Sequence, residues 1–134
     1  MLQRSWYKIL LNQKKNTEIM THAWDHPEEL DALTSAPNHH KLIYENDKVR
    51  VLETLIKPGD TAPVHTHRNP SSYVVISWSP FIRYDADGNV LLDSRTVPEF
   101  EKPAIAFWGD SSPPHMLKHI GNSDLHLIAT EIKD

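Results

Sequence analysis

From residue 40 onward, apolar and polar residues alternate with a period of two over most of the chain. This alternation is typical of β-strands that bury one face. Turn-forming residues interrupt it at short intervals, most clearly at Pro58-Gly59-Asp60 and at Ala86-Asp87-Gly88-Asn89. The pattern predicts eight or nine short strands, at 41–45, 49–56, 64–67, 73–78, 81–85, 90–93, 104–108, 115–120 and 125–132. Many short strands joined by polar turns predict an all-β jelly-roll barrel or sandwich.

The residues before the first strand predict a short helix at about 25–35. A capping residue precedes Pro27, acidic residues fill the first turn, and Pro37 ends the helix. Residues 1–19 are basic and, if ordered, form a second short helix at the periphery of the molecule. We therefore divide the chain into an N-terminal leader with a short helix, 1–39, and a β-barrel, 40–134.

The composition limits the class of protein. A chain of 134 residues without cysteine is one domain with no disulfide, thiolate metal site or cysteine nucleophile. Asp plus Glu number 18 against 14 Lys plus Arg, which speaks against a nucleic-acid partner. The chain has no apolar run of about 18 residues that could span a membrane, and its N-terminus does not resemble a signal peptide. We expect a cytoplasmic protein with no membrane partner.

Histidine spacing carries the candidate chemistry. The chain has nine histidines, and His65-Thr66-His67 places two of them at i and i+2. On a strand these two side chains share a face, with about 7 Å of chain between them, so their imidazoles can converge on one metal ion. A third ligand must come from a distant strand, for which His115 is the leading candidate. His119 follows on the same face of that strand.

These motifs resemble those of the cupin superfamily. The first cupin motif has a glycine, five residues, His-x-His and then an apolar strand. Here Gly59 is followed by five residues and then by His65-Thr66-His67. The second motif has a turn, a histidine, three residues and an asparagine before a last apolar strand. Here His115 follows a Pro-Pro turn, and His119 stands in the asparagine position. The resemblance covers about residues 40–133 and implies a small single-domain cupin.

Two positions depart from the cupin pattern. Ser71 or Ser72 stands where many cupins have a glutamate ligand, and His119 replaces the asparagine. The resemblance therefore supports three metal ligands, His65, His67 and His115. It implies one divalent metal ion, with Fe(II) favoured and Zn, Ni, Mn and Cu also suited to imidazole.

The resemblance to three-histidine cupins implies a metal-dependent dioxygenase that acts on a small chelating organic anion, such as a thiol, a diketone or an oxo or hydroxy acid. Two alternatives stay open: a non-catalytic cupin that binds a small molecule, and a metal-dependent isomerase or lyase. The resemblance also implies a homodimer.

Three further residues complete the predicted catalytic group. Arg68 follows the histidine pair and could hold an anionic substrate, Tyr73 lies on the next strand, and His119 could bind the metal or a ligand histidine. By contrast, we expect His39-His40 and Arg83 to lie on the surface.

Overall fold

The structure is a computed structural model that describes residues 25–101 and 104–133. The leader predicted at 1–19 lies outside the described residues. The predicted barrel begins at 40, and the described residues 25–39 pack against it.

Nine strands are present in the described part of the chain. They are β1 His40–Glu45, β2 Val49–Ile56, β3 Thr61–His67, β4 Ser71–Ser77, β5 Phe81–Asp85, β6 Val90–Asp93, β7 Ala106–Gly109, β8 Ser112–His119 and β9 Leu125–Ile132. They form a five-stranded sheet in the order β1-β2-β9-β4-β7 and a four-stranded sheet in the order β3-β8-β5-β6. Every strand pair is antiparallel. The predicted all-β jelly-roll class is confirmed.

The two sheets enclose an apolar core. In β2, buried and half-buried residues alternate along the whole strand, as the sequence pattern predicts. The core consists of apolar side chains from both sheets and from the 97–104 connection, namely Ile56, Ala62, Phe81, Phe100, Ala104, Leu117 and Leu125. Gly59 and Gly88 adopt positive φ angles of 86° and 88° at the two predicted turns, a conformation that glycine adopts without strain.

The helix predicted at 25–35 is broken at Asp31. A 3₁₀ turn at Glu28–Leu30 is followed by α1, Ala32–Ser35, and Asp31 between them is extended, with φ −57° and ψ 139°. Asp31 forms an isolated parallel bridge with Thr66 of β3. Its carboxylate also binds the buried guanidinium of Arg50, at 2.8 Å and 3.1 Å. The prediction of one continuous helix is wrong because these tertiary contacts outweigh the local helix signals.

None of the described helices has the length and apolar character needed to cross a membrane.

Candidate metal centre

Four histidines meet inside the barrel. His40, His65, His67 and His115 are between 2% and 8% exposed. One ring nitrogen each from His40, His65 and His67 lies within 4.8 Å of the others, so these three could hold a metal ion. The ring of His115 joins them, with its centroid 4.5 Å from that of His65 and 5.7 Å from that of His67. The structure thus brings together the three histidines predicted as ligands and adds a fourth.

Strand geometry explains three of the four positions. His65 and His67 lie two residues apart on β3, and His65 pairs directly with His115 of the neighbouring strand β8. Side chains at paired positions of adjacent strands point to the same face of a sheet. His65, His67 and His115 therefore meet on one face of the sheet, as the sequence suggests.

His40 reaches the cluster from a different direction. It is the first residue of β1, and its backbone N–H and its Nδ1–H both donate to the carbonyl of Ala36, at 3.1 Å each. Its ring centroid lies 4.5 Å from that of His65 and 5.2 Å from that of His67. The expectation that His40 is solvent exposed is wrong, because the end of α1 turns this residue into the barrel.

Backbone carbonyls orient the histidine rings. The Nδ1–H of His65 donates to the carbonyl of Pro63 at 2.6 Å, and that of His115 donates to the carbonyl of Pro113 at 2.8 Å. Because a carbonyl only accepts, these bonds fix the protonated nitrogen and leave Nε2 with a free lone pair. Metal-binding histidines in proteins are commonly fixed in this way.

The two carbonyls that orient His65 and His115 belong to Pro63 and Pro113, each two residues before its histidine. Pro113 lies inside β8 and not in a turn, so the Pro-Pro turn expected before His115 is absent. The pairing of β3 with β8 shifts register on both sides of His65, within the stretch that contains Pro63 and Pro113. A proline cannot donate a ladder hydrogen bond and is tolerated at such irregularities.

The cluster is electrically neutral at physiological pH. Burial lowers the pKa of His40 to about 3, and the neighbouring His65 acts in the same direction. Burial also lowers the pKa of His65 to about 4, and the cation of Arg83 acts in the same direction. Burial also lowers the pKa values of His67 and His115 well below the ordinary value. Neutral imidazoles are the form that binds Fe, Zn, Ni and Cu, so the donor set fits a divalent transition-metal ion.

The histidines face a cavity of about 110 Å³. Much of its wall is apolar and includes Trp78, Phe81, Phe100 and Phe107. Polar groups other than histidine also reach it, among them Tyr73, Arg83 and Ser112. An apolar pocket with a few polar groups that point inward is typical of a small-molecule site.

Tyr73, one of the three residues predicted to be catalytic, lines this cavity. Its ring stacks on Phe107 with centroids 4.9 Å apart and an interplanar angle of 11°. A Cβ at position 109 would lie 2.6 Å from Cε2 of Tyr73, so Gly109 makes room for the ring. Burial raises the pKa of Tyr73, which keeps its hydroxyl protonated and able to donate a hydrogen bond.

Arg68 and His119 lie elsewhere. The guanidinium of Arg68 binds the exposed carboxylate of Glu28 at 2.7 Å and 3.2 Å. His119 is buried, but its Nε2–H donates to the carbonyl of Ser123 at 2.6 Å and its Nδ1 accepts from the N–H of Gly121 at 3.2 Å. Neither side chain lines the cavity, and both ring nitrogens of His119 are occupied within the 119–123 turn.

Arg83 was expected at the surface, and that expectation is wrong. It shares a face of β5 with the buried Phe81, and both line the cavity. The alternation of β5 requires one set of side chains to face inward, but the sequence alone does not show which set. The signal that was present is the spacing of Phe81 and Arg83 by two residues.

Ser71 stands where many cupins have a glutamate ligand. It is fully buried on β4 and pairs with Glu131 of β9, and its hydroxyl donates to the carbonyl of Asn69 at 3.2 Å. A glutamate at 71 would bring a second buried carboxylate beside Glu131. Within the described residues, the compact donor group contains histidines alone.

The fold is similar to that of solved cupin structures. A cupin domain from Bordetella pertussis Tohama I matches with a TM-score of 0.54 and 16% identity, covering 71% of this chain and 92% of that chain. A protein with a double-stranded β-helix domain from Klebsiella pneumoniae matches at TM-score 0.48 and 15% identity, covering 69% of this chain and 74% of that chain. An RmlC-like cupin protein from Desulfovibrio desulfuricans matches at TM-score 0.44 and 17% identity, covering 82% of this chain and 97% of that chain.

No protein-family model and no curated protein matches the sequence. The structural likeness nevertheless shows that this chain has the cupin fold. The resemblance inferred from the two histidine motifs is thereby confirmed at the level of the fold.

Proposed function

We propose that this protein is a metal-dependent dioxygenase that acts on a small chelating organic anion. The observation that carries the proposal is the cluster of four buried, neutral histidines on the wall of a mostly apolar cavity. Buried imidazoles kept neutral and oriented by backbone carbonyls are suited to bind metal, and a catalytic site also needs space for a substrate beside the ion.

His65, His67 and His115 would hold one divalent ion together with His40. Fe(II) is the favoured ion, and Zn, Ni, Mn and Cu also suit an imidazole set. A bound Fe(II) ion would supply the redox chemistry that dioxygen requires. Because four imidazoles bring no negative charge, the ion would keep its full +2 and favour an anionic chelator such as a thiolate or an enolised diketone.

The residues around the histidines support the remaining tasks of such a site. The aromatic wall excludes water and accommodates the carbon skeleton of a substrate. The protonated hydroxyl of Tyr73 can donate a hydrogen bond to an oxygen atom of the bound molecule. Of the three residues predicted to be catalytic, Arg68, Tyr73 and His119, only Tyr73 has a position that supports the role.

Oxygen uptake tests the proposal. The Fe(II)-loaded protein is given a panel of small thiols, diketones and hydroxy acids in an oxygen electrode, and products are analysed after reaction under ¹⁸O₂. We expect oxygen consumption equal to substrate consumption, with two labelled atoms in the product. The His65→Gln/His67→Gln variant is the matched control and should consume none.

Other outcomes would contradict the dioxygenase proposal. Product formed without oxygen uptake would show a metal-dependent isomerase or lyase. Binding of panel members without any turnover would show a non-catalytic binding protein.

We also propose that the protein forms a homodimer. The edge strand β1 exposes the apolar side chains of Leu42, Ile43 and Tyr44, which supports association with a second copy. Light scattering in solution tests it, with about twice the mass of the chain as the expected result. The cytoplasmic location stays a prediction.

A further inference from the structure

Arg83 has no ion-pair partner in the described part of the chain. Arg50, Arg68 and Arg95 each contact at least one carboxylate. Arg83 instead lines the cavity, and its Nε is buried without a hydrogen-bond partner. Arg83 is half-buried. A cation withdrawn from water without a counter-ion is costly for a folded protein, so its retention in a cavity indicates a ligand that carries negative charge.

Other unsatisfied polar atoms lie in the same place. Among the described residues, five buried side-chain atoms have no hydrogen-bond partner, and three of them belong to residues that line this cavity. These three are Nε of Arg83, Nδ1 of His67 and Oγ of Ser112, and the last two residues pair across β3 and β8. Buried polar atoms are nearly always satisfied in native proteins, so this concentration marks the place where a polar molecule binds.

The charge of Arg83 acts on the histidine cluster. It contributes to the lowered pKa values of His65, His67 and His115, with which it shares the cavity. Asp110 also lines the cavity, but its carboxylate accepts the indole N–H of Trp108 at 3.2 Å. A divalent ion on the histidines and the guanidinium of Arg83 would together bring three positive charges to a cavity whose lining includes one carboxylate, that of Asp110.

The strand order sets the separation of the two positive centres. Arg83 on β5 pairs with Leu117 of β8, two residues beyond His115 and on the same face. The order β3-β8-β5 places Arg83 one strand from His115 and two strands from His65 and His67. Adjacent strands lie about 4.8 Å apart, so the guanidinium lies on the order of 5–10 Å from the metal-binding nitrogens.

We infer that Arg83 binds a carboxylate of the substrate, while a chelating group 5–10 Å away (about two strand spacings at most) occupies the metal. The substrate is therefore a small organic acid with two anionic ends, and the apolar wall covers the carbon chain between them. This inference rests on the proposed function for the chelating end. The Arg83 end rests on the unpaired guanidinium.

Two hydroxamates that differ in one carboxylate test the inference. Acetohydroxamate chelates metal through its hydroxamate alone, and succinate monohydroxamate adds a carboxylate at the required distance. Their dissociation constants are measured by titration of the Co(II)-loaded protein, followed by the visible absorption of the Co(II). We expect the wild type to bind the carboxylate-bearing probe at least about tenfold more tightly.

Arg83→Gln should remove this preference, because it should weaken the binding of the carboxylate-bearing probe far more than that of acetohydroxamate. Arg95→Gln is the matched control, because Arg95 is exposed and paired with Asp93, and it should keep the preference. Arg83→Met is a second variant. Both Arg83 variants should unfold at the same temperature as the wild type or higher, because each removes an unpaired, half-buried charge. Equal binding of the two probes by the wild type, or a preference retained in both Arg83 variants, would overturn the inference.

Metal-free protein separates this inference from the proposed function. If no Co(II) loads, the proposed function fails, and Arg83 is judged with succinate alone in a thermal-shift titration. Succinate should then raise the melting temperature of the wild type and of Arg95→Gln but not that of Arg83→Gln. An equal rise in all three proteins, or none in the wild type, would overturn the role of Arg83.

Discussion

His40, His65 and His115 share one arrangement although they lie on three different strands. In each, Nδ1 donates to a carbonyl two or four residues earlier in the chain. A local hydrogen bond of this kind fixes the ring with little dependence on the rest of the barrel. The lone pair that remains on Nε2 is thus oriented before any ion binds, which lowers the entropy lost on binding.

The adjacent pair His39 and His40 allows a controlled test of this arrangement. His40 belongs to the compact donor group, whereas Nε2 of His39 lies 3.6 Å from the carboxylate of Asp60. We expect His40→Gln to weaken Ni(II) or Co(II) binding by at least about tenfold, because one neutral donor is lost. His39→Gln should bind within about twofold of the wild type. Calorimetric titration measures both, and equal affinity of the two variants would remove His40 from the ligand set.

At the scale of elements, the segment 28–36 acts as a clamp on the outer side of β3. Thr66 donates to the carbonyl of Leu30 at 3.3 Å, and the hydroxyl of Ser35 donates to the carbonyl of Val64. These contacts alternate along β3 with the inward-facing His65 and His67. The same segment ends in Ala36, whose carbonyl orients His40. The clamp therefore supports three of the four histidines.

A buried ionic network holds the clamp in place. Arg50 of β2 contacts Asp31 at 2.8 Å and Glu131 of β9 at 3.0 Å, and Asn69 donates to Glu131 at 3.2 Å. Burial would lower the pKa of Arg50, but its bonds to Asp31 and the charge of Glu131 raise it. Burial raises the pKa of Glu131 although the cation of Arg50 opposes the change.

Removal of the central cation should therefore be costly. Arg50→Met leaves two buried carboxylates without a counter-charge, and we expect a loss of about 3–5 kcal/mol in the free energy of unfolding. Arg95→Met breaks an exposed pair with Asp93 and should cost less than about 1 kcal/mol. Urea denaturation measures both. If the two variants are equally stable, the network does not hold the clamp.

The strands could be predicted closely from the sequence because their signals are local. The predicted bounds of β2, β5, β6 and β9 match those observed. The extended Asp31 could not be predicted, because its conformation depends on Arg50 and Thr66, which are 19 and 35 positions away. The same limit applies to β8, where Pro113 reads locally as a turn residue but lies in a strand.

At the scale of the whole molecule, some residues of the candidate site could be predicted from the sequence and others could not. The convergence of His65, His67 and His115 could be predicted because strand spacing and motif order determine it. The inward positions of His40 and Arg83 could not, since they depend on how the sheets close around the cavity. Alternation along a strand shows which residues share a face but not whether that face is inside.

The buried neutral histidines should also make the stability of the metal-free protein depend on pH. Above about pH 6.5, neither the folded nor the unfolded chain carries protons on these rings. Below that value the unfolded chain binds protons that the folded chain excludes, until pH reaches the folded pKa values of about 4 for His65 and about 3 for His40. The free energy of unfolding should therefore fall as pH falls, by about 1.4 kcal/mol per pH unit for each such histidine.

Urea denaturation in the presence of a chelator at about pH 7.5 and about pH 5 measures this dependence. His40→Gln should reduce the dependence of the unfolding free energy on pH by the contribution of close to one proton. An unfolding midpoint that is the same at both pH values would show that the histidines are not buried in the neutral form.

The central claim is that the histidine cluster holds a metal ion, and the metal content of the isolated protein tests it most directly. Protein purified without an affinity tag or chelator is analysed by inductively coupled plasma mass spectrometry, beside the His65→Gln/His67→Gln variant. We expect about one divalent transition-metal ion per chain in the wild type and only traces in the folded variant. Wild-type protein without metal that also fails to take up added Fe(II), Zn(II) or Ni(II), or full occupancy in the double variant, would contradict the claim.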